Sequence, residues 1–332
     1  MPDSRWVAID VLKASAIVTV VWIHAFHGWD RPRSIVIYLS TLLSSFAVPA
    51  FFFASGFLHW RSVPIPAALL LRWMSRVVPP YLVASAAAFA LRAVANETFT
   101  ARKMAFELAV GSASGIYYFV PVLAGALLLG PPLSRWRGLA LPLFGAFWLT
   151  GLLCVAGLDP AVRVLFGGPN VFWSLRDPLR WWGYFLAGWL VAERWRGRRD
   201  GSAVLRRVGL AAAGLVGAVV AAVAIHLARS APSAWAWPIP AGLLYLVTYG
   251  CLVAIFVLGR DAPPSRTVRV LSQASYPVYL YHVFFITLAR RALPLPEPAL
   301  DGAAFVVGCG GSLALVSLGR VLLGRHARVI LG

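Results

Sequence analysis

The sequence predicts an all-α, polytopic membrane protein with about ten transmembrane helices in one bundle. Composition, the grouping of apolar residues and the placement of charge carry that prediction. Hydrophobic residues make up 60% of the 332, mean hydropathy is +0.77, and 13% are charged, where a soluble domain carries about 25%. These values exclude a disordered chain, a coiled coil and an ordinary soluble enzyme. The apolar residues are gathered into long runs, and about 20 of them cross a bilayer as a helix. The formal charge of +18 would point to nucleic acid in a soluble protein. In a membrane protein its meaning depends on which loops hold it.

The first run, Val7 to Phe26, has the position of a signal peptide. It is too long for an h-region, contains Asp10 and Lys13, and has no small-residue cleavage site after it, so it reads as a retained span. Nine further runs cover residues 35–58, 80–95, 116–129, 139–158, 179–193, 204–228, 239–258, 274–292 and 302–323. Ala, Gly and Leu dominate the runs at 204–228 and 302–323, as expected where helix backbones pack closely. Gly308 to Gly311 fall inside such a run and read as packing, not as a phosphate loop. No fixed-period repeat is present. Ten spans leave room for one membrane domain over residues 1–332, with no appended soluble domain expected.

Charge placement orients the bundle. With the N-terminus inside, the inner segments hold 17 Lys+Arg and the outer segments 11. The excess predicts that both termini are cytoplasmic and that the protein is multi-pass in the inner or plasma membrane. Much of the excess comes from Arg194 to Arg207, which reads as a topology and lipid-headgroup feature. Basic charge of this kind calls for membrane lipids as partners and no nucleic acid. Cys154, Cys251 and Cys309 lie far apart in apolar stretches without CxxC or metal spacing, and read as buried spectators. His59, His226 and His326 fall at span ends. No two histidines pair with carboxylates at metal spacing, so no metal is expected.

The first span holds an unusual polar set. A charge inside a bilayer costs about 2.5–3.5 kcal/mol on insertion scales, yet Asp10, Lys13 and His24 all lie in this run. Asp10 and Lys13 are three residues apart on one helix face. Lys13 and His24 are eleven apart, close to three turns, or about 16 Å of helix. The three define one stripe that should face the bundle interior or a wet cavity. A buried Asp10–Lys13 ion pair that fixes packing, with His24 hydrogen-bonded near the outer end, is one reading; a reactive stripe is the other.

The residues around this stripe resemble the opening of acyltransferase family 3, a family of integral-membrane O-acyltransferases. The shared features are Arg5, Asp10 and Lys13, then ten residues and His24. Lys13 stands where the family usually has Arg; it keeps the charge without the planar two-pronged contact. Four more marks follow in order: Phe51 to Phe57 ending in Ser55-Gly56-Phe57; Arg72, Arg76, Pro79, Pro80 and Tyr81; Tyr184-Phe185 with Gly188; and Tyr276-Pro277 with Tyr279, Tyr281 and His282. The resemblance runs over residues 5–323.

The resemblance implies transfer of an acyl group from an acyl-CoA, typically acetyl-CoA, to a hydroxyl of a carbohydrate, glycolipid or small-molecule acceptor. A hydroxyl needs a base to become a good nucleophile, and imidazole suits neutral pH; His24 is the candidate. Lys13 is the candidate for stabilising charge on the carbonyl oxygen, with Asp10 holding it. Arg72 and Arg76, four apart at the expected cytosolic entry to the third span, are candidates for the coenzyme phosphates, against ordinary positive-inside anchoring. His282, Tyr281 and Ser55 are candidates for the acceptor pocket, with a packing or turn role for Ser55 and Gly56 as the plainer reading. A transporter or flippase of an envelope precursor using the Asp10–Lys13–His24 stripe is the alternative function.

Overall fold

Every regular element among the described residues is helical. The computed structural model describes residues 6–26, 35–167, 170–195, 202–229, 239–263, 265–297 and 299–331. Arg5, His27, Arg31, Arg33, Arg196, Arg198 and Arg199 lie outside them.

Each of the ten predicted runs falls on helix. Six stretches are long and apolar enough to cross a membrane: α1 (Val7–Phe26), α2 (Ile35–Ser44) with α3 (Ala47–His59), α4 (Ala67–Val94), α12 (Ser202–Arg229), α13 (Ala241–Arg260) and α15 (Ala299–Leu323). The expected total of about ten therefore includes helices of a different kind. α6 (Phe119–Leu128) with α7 (Gly130–Arg135), and α8 (Ala140–Val155), are apolar but shorter. α11 (Pro178–Trp195) and α14 (Arg266–Ala292) have the length but carry more charged and polar residues. Short helices α5 (Ala101–Val110), α9 (Pro160–Phe166), α10 (Val171–Ser174) and α16 (Ala327–Ile330) complete the set.

The third predicted span is longer than expected. The run at 80–95 starts at Pro80, but α4 begins at Ala67 and carries Pro79 and Pro80 inside it. Arg72 and Arg76 therefore sit on the helix itself rather than in its approach. Proline within an apolar helix is tolerated where neighbours re-satisfy the freed backbone groups. The fourth run starts late at Phe119 and is interrupted before Gly130, ahead of Pro131 and Pro132.

The chain forms two compact units. The first comprises Met1–Ala54 and Arg198–Ala314, the second Ser55–Gly197 and Leu315–Gly332. In the first, α1 packs along α14 and α13, and α13 packs on α12. Small residues let these helices approach. A Cβ at Gly311 would come within 2.4 Å of the Phe285 ring, and one at Gly308 within 2.8 Å of Ile286. The break between α2 and α3 is held from α13, where Thr248 Oγ1 donates to Ser45 Oγ at 2.8 Å.

In the second unit α11 packs along α8, with Gly183 against the Phe147 backbone, where a Cβ would lie 3.3 Å from the carbonyl. The tightest contact joins two of the sequence marks. A Cβ at Gly56 would stand 1.9 Å from the Phe185 carbonyl oxygen and 3.0 Å from the Trp189 amide nitrogen. Ser55-Gly56-Phe57 and Tyr184-Phe185 are thus two halves of one backbone-to-backbone contact, which only glycine admits. For Gly56 the packing reading holds.

Candidate active site

The polar residues of α1 face α14 at both ends of the stripe. Near the start of α1, Asp10 Oδ1 accepts a hydrogen bond from Ser272 Oγ at 2.6 Å. Near its end, the His24 ring lies 5.2 Å from the His282 ring, tilted by 44°. These two contacts make α1 and α14 parallel, with His24 and His282 toward the same end. Asp10, Lys13 and His24 are all half-buried. Asp10 and His24, at the two ends of the stripe, are thus turned to another helix of the first unit.

α14 supplies its own polar stripe. Ser272, Ser275, Tyr279 and His282 recur at three- and four-residue steps, which keeps them on one side of the helix. All four are buried, and His282 is fully so. Ser275 Oγ turns back to the Ser272 carbonyl at 2.8 Å. His282 Nδ1 reaches the carbonyls of Val278 at 3.0 Å and Tyr279 at 2.9 Å. A carbonyl can only accept, so Nδ1 carries a proton, and in the neutral ring the lone pair is then on Nε2. That Nε2 is buried and has no hydrogen-bond partner among the described residues. Leaving a buried acceptor unmatched costs about 1–3 kcal/mol, which marks the position as one shaped for something other than packing.

The end of the seam is closed by an arginine. Arg290 Nη2 donates to the Ala25 carbonyl at 2.5 Å and forms an ion pair with Asp301. Trp22 stacks on Phe26 with ring centroids 3.7 Å apart, and Phe305 of α15 lies 5.7 Å from Trp22. The ends of α1 and α14 and the start of α15 are therefore tied together beside His24. A cation at the last carbonyls of α1 also complements the helix dipole.

The remaining sequence candidates are placed differently. Tyr281 immediately precedes His282 in sequence but points about 100° around the helix from it; its ring contacts Phe284 at 6.1 Å. Tyr279 is the tyrosine beside His282, with rings 6.3 Å apart. Ser55, Arg72 and Arg76 belong to the second unit. The Ser55 carbonyl contacts His59 Nδ1 at 2.7 Å, and Arg72 and Arg76 are exposed on α4 with Trp73 buried between them. Trp73 is edge-on to His59 at 4.5 Å and lies under Arg61 at 5.6 Å.

Three features escaped the sequence reading. Ser272 had a signal: Ser272, Ser275, Tyr279 and His282 are spaced by three, four and three residues, the steps of one helix face. Arg290 was counted as an outer-loop charge. Cys154, read as a spectator, has two buried carboxylates beside it, Asp159 and Asp177.

Residues 6–319 match the family model described as an acyltransferase domain, across both units and almost the whole chain. No match was found among curated proteins or solved structures.

Proposed function

The chain belongs to acyltransferase family 3 and is a membrane acyltransferase; on that premise we propose that it moves an acetyl group from acetyl-CoA to a hydroxyl of a cell-envelope glycan, glycolipid or secreted metabolite, with His24 as general base. The observation that carries this reading is the pair of imidazoles, His24 and His282, 5.2 Å apart at one end of a polar seam inside apolar helices. His282 Nε2 is buried with no hydrogen-bond partner among the described residues; in the neutral ring it serves to accept a hydrogen bond from the acceptor and hold it beside His24.

In this mechanism His24 takes the proton of the acceptor hydroxyl as its oxygen attacks the thioester carbonyl. The tetrahedral intermediate collapses by breaking the carbon–sulfur bond, and the His24 imidazolium returns the proton to the departing coenzyme A thiolate. Lys13 offsets the negative charge on the carbonyl oxygen. Asp10, fixed by Ser272, holds the Lys13 end of the stripe, and Tyr281 and Ser55 remain assigned to the acceptor through the family motif. Arg72 and Arg76, exposed and one turn apart on α4, supply cations for the coenzyme phosphates. The protein is read as multi-pass in the inner or plasma membrane with both termini cytoplasmic.

The test is mass spectrometry of envelope glycans and lipids with and without the gene, alongside coenzyme A release by the purified protein. A gain of one acetyl unit that disappears in His24→Ala supports the reading. Acceptor movement without acyl-CoA consumption, or full turnover by folded His24→Ala, sinks it.

A further inference from the structure

We propose that Cys154, Asp159 and Asp177 form a binding site for a zinc-class divalent cation. The Cys154 sulfur and one oxygen from each carboxylate all lie within 4.8 Å of one another. The residues are buried, at 2% exposure for Cys154, 2% for Asp159 and 7% for Asp177.

Each aspartate already uses one oxygen. Asp159 Oδ1 accepts from the Val162 amide at 3.0 Å, capping α9, and Asp177 Oδ1 accepts from the Leu179 amide at 2.9 Å, capping α11. The second oxygen of each, Oδ2, is buried and has no hydrogen-bond partner among the described residues. Capping explains the first oxygens only. Two carboxylates sharing a dry site repel, and each unmatched oxygen adds a desolvation cost. A bound divalent cation would answer both.

The ligands come from three elements held in fixed relation. Cys154 is in the last turn of α8, a short turn returns the chain to Asp159, and α11 packs along α8 so that its own cap meets the other two. The donor set selects the metal class. Zinc accepts thiolate and carboxylate together, whereas calcium and magnesium take oxygen alone and copper(I) favours sulfur. Binding releases the thiol proton to solvent as the sulfur lone pair goes to the metal, with no change in oxidation state. Three anionic ligands against two positive charges leave one negative charge, and Arg180 acts electrostatically on both Cys154 and Asp177.

A cavity of about 400 Å³ adjoins the site, with Asp177, Val162, Arg176, Trp173 and Trp182 in its wall. Three protein ligands leave a fourth position for water or a ligand oxygen from that side.

The test uses the full chain purified in detergent, loaded with zinc and dialysed. We expect about one zinc per chain, and on cobalt loading a near-ultraviolet thiolate-to-cobalt band. Cys154→Ser should remove the band, and the Asp159→Asn and Asp177→Asn pair should reduce retained zinc at least tenfold. Should the variants fail to fold, wild-type protein decides alone, because chelation should lower its melting temperature. Monodisperse wild type that retains no zinc, a cobalt spectrum without the sulfur band, or zinc content unchanged in the folded variants would each overturn the proposal.

Discussion

The α1–α14 seam of the first unit and the Arg92 network of the second both place polar groups among apolar helices, but they are completed differently. Arg92 lies in the last turn of α4 and makes a two-pronged contact with Glu97, at 2.7 Å through both Nε and Nη2. It also reaches Glu107 at 2.5 Å and the Ala113 carbonyl at 3.2 Å. Lys103 adds a second contact to Glu97 at 2.8 Å, and the Phe99 ring lies 4.9 Å from the guanidinium. That network joins the end of α4 to α5 and closes upon itself. The seam does not: it keeps a buried histidine nitrogen unmatched at His282. Charge matched on every side is spent on holding helices together, while an acceptor held ready in a dry place is available to a substrate.

That contrast can be broken by mutation. The largest expected effect is on chemistry. His24→Ala should lower acyl transfer by about 10²–10⁴-fold, the range for loss of a general base, with an unchanged melting temperature in detergent; a variant that melts early instead would make His24 structural. Next is Arg92→Ala, which leaves the almost buried Glu107 without its cation. A loss of about 2 kcal/mol is expected after allowing for partial exposure, read as a lower melting temperature with near-normal turnover per folded molecule. Ser272→Ala removes the bond to Asp10 and should cost about 1 kcal/mol. It should also slow turnover modestly if Asp10 positions Lys13, and leave turnover untouched if the bond serves packing alone.

The smallest effect is a pH dependence confined to the network. Hydrogen bonds from Arg92 and then Lys103 hold the Glu97 carboxyl down to about 2, from an ordinary 4.5. A carboxyl held down in the folded state adds stability that is complete above its unfolded value. Glu97's share is therefore present above about 4.5 and lost as pH falls toward about 2. Glu97→Gln should flatten the acid limb of thermal stability in this range, and an unflattened limb would remove Glu97 from the network's function.

The sequence made some of this legible and hid the rest for identifiable reasons. A stripe within one helix follows from 3.6-residue periodicity, so Asp10, Lys13 and His24 could be placed on a single face. Which helix covers that face is a non-local fact: α14 is 262 residues away at the Ser272–Asp10 bond. Arg92 falls near the end of the run at 80–95 and Glu97 and Glu107 lie beyond that run, so no spacing within the span pairs them. The run at 80–95 begins at Pro80, whereas α4 continues through Pro79 and Pro80 from Ala67, because proline is tolerated inside a helix of an apolar bundle. Cys154, Asp159 and Asp177 match no short ligand spacing, since each comes from a different element. Gly56 was read as packing, but its partner, Phe185, became visible only when two separate marks met.

The parallel run of α1 and α14 also imposes a parity rule on the whole chain. Two helices that cross a bilayer in the same direction must be separated by an odd number of crossings. Between α1 and α14 the long apolar stretches are α2 with α3, α4, α12 and α13, an even set that would send α14 back the wrong way. An odd number of the shorter helices between α4 and α12 must then cross if α14 does; α6 with α7, α8 and α11 together satisfy the rule. A reporter placed just before α1 and one placed just before α14 should accordingly label the same side of the membrane.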